Sequence, residues 1–196
     1  FHTDAVQACG NVPIDVKKMG IDMLSLSGHK LHSPKGIGAL YIRNGIKLEK
    51  YIDGGHQESD RRAGTENVPG IVGLGKACEI ARNNLGINMK ILKELRDYYV
   101  MQVENSIQNV RLNGSRNMRL PGNANFSFRG IDGRALVLEL NKRGICVSGG
   151  SACAAGSTKP SHVLTALGLP DEMAKAAIRT TFGPDNTKED IDYLVQ

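Results

Sequence analysis

At 196 residues, with 40% hydrophobic and 23% charged residues, the chain carries enough apolar material to bury the core of one large domain, or one and a half. Its net charge of +5 comes from 25 basic and 20 acidic residues interleaved along the sequence, and only 5% of residues are aromatic; this argues against a nucleic-acid face, which needs clustered basic residues and stacking rings. No apolar run is long enough to span a membrane and no basic, apolar leader opens the chain, so a protein of the reducing cytoplasm is expected.

The chain opens without Met on "FHTDAVQACG", which reads as a strand end followed by a turn, so a piece of a longer protein is expected. "VPIDVKKMG" reads as a short helical or loop passage closed by Gly20. "IDMLSLS" alternates apolar and small residues and predicts a strand; "GIGALYIR" predicts the next, closed by the Asn44-Gly45 turn. "DGGHQESDRRAGTEN" is polar and glycine-rich and predicts a loop. Val68, Ile71, Val72, Leu74, Ala77, Ile80 and Ala81 then recur at helical spacing, and a second helix is predicted in "MKILKELRDYYVMQVENSI". This helical passage is the natural bridge between two domains, with residues 1–77 before the boundary and 78–196 after it.

Beyond it, "VRLNG" and "NANFSFRG" read as strands, and "DGRALVLELNKRG" as a helix with Asp132 as its N-cap and Gly144 as its stop. "ICVSGGSACAAGS" reads as a strand running into a small-residue loop, "PSHVLTALG" as a helix closed by Gly168, "AAIRTTF" as a strand and "TKEDIDYLVQ" as a last helix. Strands and helices alternate throughout, so the expected class is α/β.

Four stretches stand out chemically. Lys30 lies in "SGHKLHSPKG" at the join of two predicted strands. Most lysines in turns face water, but here Ser27, Gly28 and His29 precede it and Pro34, Gly36 and Gly38 follow. Small residues let backbone approach a ligand, Ser and His offer hydrogen bonds to an anion, and an amine partly desolvated at the mouth of a sheet is a nucleophile suited to a carbonyl cofactor. If Lys30 holds a pyridoxal ring, a carboxylate must face the ring nitrogen; Asp4, at the end of the preceding strand, could supply it, with Gln7 reaching the phenolic oxygen. Cys153 sits in "VSGGSACAAGS" among residues too small to hold it rigidly, a setting for a thiol that carries sulfur. Cys9 and Cys78 read as packing residues and Cys146 as part of an apolar strand; with no CxxC pair among the four cysteines, neither a disulfide framework nor a metal site is expected. Arg179, in the otherwise apolar "AAIRTTF", would be costly without a partner such as a substrate carboxylate.

Taken together, "HTDAVQACGNVPIDV", "SLSGHKLHSPKGIGALYIR", "GGHQESDRRAGTENVPGIVGLGKA", "SGGSACAAGSTKPSHVLTALGL" and "AAIRTTFG" resemble the NifS/IscS-type cysteine desulfurases in order and approximate spacing. These are pyridoxal-phosphate enzymes of fold type I, the class-V aminotransferase-like group. The resemblance runs over essentially the whole chain. It implies the second half of the large cofactor-binding domain, residues 1–77, followed by most of the small C-terminal α+β domain, residues 78–196. It implies Lys30 as the Schiff-base lysine, Asp4 and Gln7 at the pyridine nitrogen and phenolic oxygen, Ser27 and His29 as phosphate ligands, and Thr65 as a residue lent to the phosphate of a neighbour in a homodimer. Arg179 would hold the carboxylate of L-cysteine. Cys153 would take the sulfur as a persulfide, leaving alanine, and pass it to an iron–sulfur scaffold or other acceptor protein.

The chain departs from the family in lacking its earlier half, with a ring-stacking histidine and a phosphate-binding turn, and in stopping inside a helix where the family continues into a scaffold-docking tail. Alone, the 196 residues are therefore expected to bind pyridoxal 5'-phosphate weakly or not at all. A selenocysteine lyase, another fold type I enzyme such as an aminotransferase, and a non-catalytic interaction module are the rival readings; an aminotransferase has no use for Cys153, and an interaction module has none for Lys30, Asp4 and Gln7.

Overall fold

A computed structural model describes residues 1–149 and 160–196. The chain divides into two compact units, Phe1–Gly86 and Ile87–Gln196.

The first unit is built on a three-stranded sheet in the order β1 (His2–Asp4), β2 (Met23–Ser27), β3 (Gly38–Ile42). β1 runs parallel to β2, with Asp4 opposite Ser25, and β3 runs antiparallel, with Gly38 opposite Ser27. Period-two alternation sorts the residues. Leu24 and Ala5 are buried with Ile21, and Ala8, Cys9, Ile14, Val16, Leu26 and Tyr41 pack against them. His2, Asp4, Ser25 and Ser27 alternate with these and take the other face. Gly38 permits the close β2–β3 approach, because a Cβ there would lie 2.6 Å from the Leu26 carbonyl oxygen. β2 runs directly into a 3-10 turn, Gly28–Leu31, ended by His32 in the left-handed region at φ 62°.

The polar segment after β3 contains one short element, α1 (Gln57–Asp60), in which Glu58 and Ser59 have left-handed backbone angles, so it is a turn of the expected loop. α2 (Val68–Ser106) follows as one helix of 39 residues. Two helices were expected here. The lone Gly86 between them lowers helix propensity by about 1 kcal/mol relative to Ala, too little to end a helix with no proline behind it. Both the expected domain boundary near residue 77 and the division after Gly86 fall inside α2.

The second unit holds an antiparallel sheet in the order β4 (Val110–Leu112), β5 (Asn123–Phe128), β6 (Ala177–Thr181). Its core joins Leu95, Tyr99, Val100 and Val103 of α2 to Ala124 and Phe126 of β5 and to Ile191 of α6 (Lys188–Val195). The Tyr99 ring meets Phe126 edge-on at 5.8 Å. α3 (Gly133–Lys142) starts at Asp132, whose carboxylate accepts the Arg134 and Ala135 amide protons, and the chain turns out of it at Gly144, φ 80°. α4 (His162–Ala166) and α5 (Asp171–Lys175) bring Leu164, Leu169 and Ala174 onto Ala177. α5 is too short to leave a periodic signal and was not predicted. The strand predicted over "ICVS" does not form; the segment makes one bridge, Ser148 to Arg179, and Cys146 is exposed rather than packed in a sheet.

Among the described residues no helix is long and apolar enough to cross a membrane, and no group of three or more His, Cys, Asp or Glu side chains could hold a metal ion.

Candidate active site

β1 and β2 are parallel, so their C-terminal ends open on the same side of the first sheet. Asp4 is the last residue of β1. It is exposed, and its Oδ1 accepts the Val6 amide proton at 2.9 Å, an Asx-type turn that starts the chain on its way across the sheet. Gln7, in the turn that follows, is exposed, and its carbonyl accepts from the Asn11 side chain. Ser27 is the last residue of β2, and the 3-10 turn places His29 and Lys30 directly after it. The Ser27 hydroxyl and His29 Nδ1 are 2.8 Å apart. Five of the sequence-predicted residues, Asp4, Gln7, Ser27, His29 and Lys30, thus gather at or just beyond the ends of two adjacent parallel strands.

Lys30 itself is exposed. The partial desolvation expected from its place between two strands is not supplied, because the turn carries it outward from Gly28, the only buried residue of that turn.

Sequence reasoning missed His2. Its Nε2 lies 2.8 Å from the Ser25 hydroxyl, and Ser25 stands opposite Asp4, so a hydrogen-bonded pair borders the carboxylate on the same sheet face. The signal was present in the period-two relation of His2 to Asp4 and of Ser25 to Ser27.

Thr65 is exposed in the segment that leads into α2, beside Gly64, whose amide donates to Gln57, and ahead of Asn67, whose side chain accepts from the Gly70 amide. Along the chain it falls between α1 and α2 rather than at the ends of β1 and β2. Arg179 belongs to the second unit, at the centre of β6 between Asn125 of β5 and Ser148. The expectation of a charge within an apolar strand is corrected by the pleat. Ile178 and Thr180 are buried on one face, whereas Arg179 is half-buried on the other beside Asn125 and makes no ion pair among the described residues. Cys153 lies outside the described residues.

The chain belongs to the class-V aminotransferase family, whose model matches residues 1–194. Within that class it is similar to named cysteine desulfurases. It is 54% identical over 198 residues to the cysteine desulfurase IscS of Clostridium botulinum strain Hall, covering 100% of this chain and 50% of that protein. Among solved structures, a NifS-like protein from Rickettsia africae superposes with a TM-score of 0.90 at 32% identity, over 100% of this chain and 51% of the other. SspA, solved in complex with cysteine, superposes with a TM-score of 0.70 at 37% identity, over 95% of this chain and 51% of the other. The chain spans about half the length of the curated relatives it matches.

Proposed function

We propose that the chain is part of a cysteine desulfurase that uses pyridoxal 5'-phosphate to convert L-cysteine to L-alanine, with the sulfur retained on Cys153. The observation that carries the reading is the gathering of Asp4, Ser27, His29 and Lys30 at the ends of the parallel β1–β2 pair. The donor set fits the cofactor group by group. A hydroxyl and an imidazole 2.8 Å apart offer hydrogen bonds to phosphate oxygens, an amine suits an aldehyde, and a carboxylate suits a protonated pyridine nitrogen.

Bound there, the cofactor would supply an electron sink for breaking bonds at the substrate's α-carbon. The protein's own contributions follow from its side chains. Asp4 would keep the ring nitrogen protonated and Gln7 would donate to the phenolic oxygen. Ser27 and His29 would hold the phosphate, and Thr65 of one protomer would reach the phosphate held by the next in a homodimer. Lys30, bearing the cofactor through its amine, would on release hold and move the α-proton. Arg179 would take the substrate carboxylate. The Cys153 thiolate would attack the sulfur of L-cysteine; a carbon–sulfur bond breaks, a sulfur–sulfur bond forms, and alanine leaves. Ser148 is tied to Arg179 by two backbone hydrogen bonds. The persulfide would pass to an iron–sulfur scaffold or another acceptor in the cytoplasm, a reducing setting in which an exposed thiol stays available.

Reduction with borohydride in the presence of pyridoxal phosphate, followed by peptide mapping, tests the site. A single pyridoxyl adduct on Lys30, and sulfide release dependent on cysteine and on Cys153, is the expected result. Adducts scattered over many lysines, in a protein extended to the length of its relatives, would overturn the reading.

A further inference from the structure

The sheet face of the second unit that lies opposite Phe126 holds a connected set of polar side chains beside Ala177. Asn113, 4% exposed, donates through Nδ2 to Asn125 Oδ1 at 2.7 Å and to the fully buried Ser127 hydroxyl at 2.8 Å. Both of its amide protons are spent, and its own Oδ1 is buried without a partner. The reverse arrangement, in which Asn125 and Ser127 donate to Asn113 Oδ1, would satisfy that oxygen, but it would leave the Asn113 Nδ2 without these partners, spend one of the two Asn125 amide protons and turn the Asn125 oxygen outward. The orientation present leaves both Asn125 amide protons available. With its Oδ1 engaged, the Asn125 carboxamide is fixed, and its Nδ2 has no protein acceptor among the described residues.

Asn125 stands directly opposite Arg179 in the antiparallel pair. Such neighbours carry their side chains on one face with Cβ atoms about 4.5–5.5 Å apart. A residue whose guanidinium makes no ion pair among the described residues and one whose amide NH2 has no acceptor among them are therefore neighbours on one sheet face, and both groups are donors. A carboxylate, with two oxygens and about four acceptor positions, can take both.

We propose that Asn125 donates through Nδ2 to the same substrate carboxylate that Arg179 holds, and that Asn113 is a positioning residue that fixes the Asn125 amide for this contact. The proposal rests on the reading of Arg179 as the carboxylate holder. It makes the site a two-strand clamp that selects a free α-carboxylate over an ester or amide, rather than a single cationic contact.

The test uses the protein extended to the length of its relatives, freed of cofactor, 15N-labelled and kept reduced, titrated with L-cysteine and with L-cysteine methyl ester. L-cysteine is expected to shift the Asn125 side-chain NH2 and Arg179 Nε–H resonances together, and the ester neither. Asn125→Ala is expected to weaken L-cysteine binding about tenfold or more, the loss typical of a hydrogen bond to a charged group, without changing affinity for the ester. Asn125→Asp keeps an acceptor for Asn113 and the residue's shape, so it preserves the fold while setting a negative oxygen against the ligand; it is expected to bind L-cysteine at least as weakly. Asn113→Ala is expected to reduce the preference for acid over ester, a ratio that a merely structural role would leave unmoved. Binding by Asn125→Ala and Asn125→Asp within about twofold of the parent, while Arg179→Gln loses it, would overturn the proposal and leave the Arg179 reading intact. Equal binding of acid and ester by the parent, or undiminished binding by Arg179→Gln, would overturn both.

Discussion

Single side chains differ here chiefly in what surrounds them, and the cysteines make the contrast plain. Cys9 packs against the buried Ala5, Ile21 and Leu24; burial, and to a lesser degree the neighbouring Cys78, pushes its thiol above the ordinary range. Cys146 is exposed. Because the thiolate is the reactive form, limiting iodoacetamide at pH 8 should modify Cys146 before Cys9, read by peptide mass mapping over time. Equal rates would mean that the turn carrying Cys9 opens freely. At this scale the sequence spoke unevenly. Cys9 could be read as a packing residue from its apolar neighbours, but Cys146 could not be read correctly, because "ICVS" has a strand's composition and its exposure depends on pairing that the segment does not make. Lys30 is a similar case: its place at a strand end was legible, and its exposure was not, since enclosure depends on chain that folds over it.

Elements were legible where local chemistry decides them. Asp132 and Gly144 bracket α3 as capping rules require, and Thr187 begins α6 with a reciprocal capping box to Asp190. The Asp132 carboxyl is held below the usual carboxylate range by the Ala135 and Arg134 amides. The sign follows from linkage. A folded-state value depressed below the unfolded one contributes stability above about pH 4, and this is lost as pH falls through the folded value. The gap in melting temperature between the parent and Asp132→Ala should therefore be full at pH 7 and narrow steadily below about pH 4. A gap independent of pH from 7 to 3 would mean that the charge on the cap does not matter. Where tertiary pairing decides, the sequence was less informative. The continuity of α2 through Gly86 turns on a cost of about 1 kcal/mol, too small to stop a helix but read in the sequence as a break, and α5 is held by Leu169 and Ala174 against Ala177 rather than by its own periodicity.

For the whole molecule, the two units are unequally built. The second buries Leu95, Tyr99, Val100, Val103, Ala124, Phe126 and Ile191 in one cluster, whereas the buried apolar group under the first sheet is Ala5, Ile21 and Leu24, and Leu40 of β3 remains 48% exposed. Phe126, with no exposed surface, stands at the centre of the larger cluster. Phe126→Ala should lower stability by about 3–5 kcal/mol in urea titrations of the second unit's transition. In the parent, amides of β5 and β6 should exchange with solvent more slowly than those of β1–β3, and the substitution should erase that difference. The α/β class and the order of elements could be read from periodicity, but this imbalance could not, because burial depends on which elements meet in three dimensions.

The order in which strands meet also sets a timetable for synthesis. The pairings among β1, β2 and β3 are possible once Ile42 has been made, but β5 waits for β6 at Ala177–Thr181, and the larger core waits for Ile191. At ordinary ribosomal speeds that interval is on the order of ten seconds. Throughout it, Phe126 and the α2 residues it packs against lack the helix that completes their core, which makes the stretch from Leu95 to Phe128 a natural client for a chaperone during synthesis.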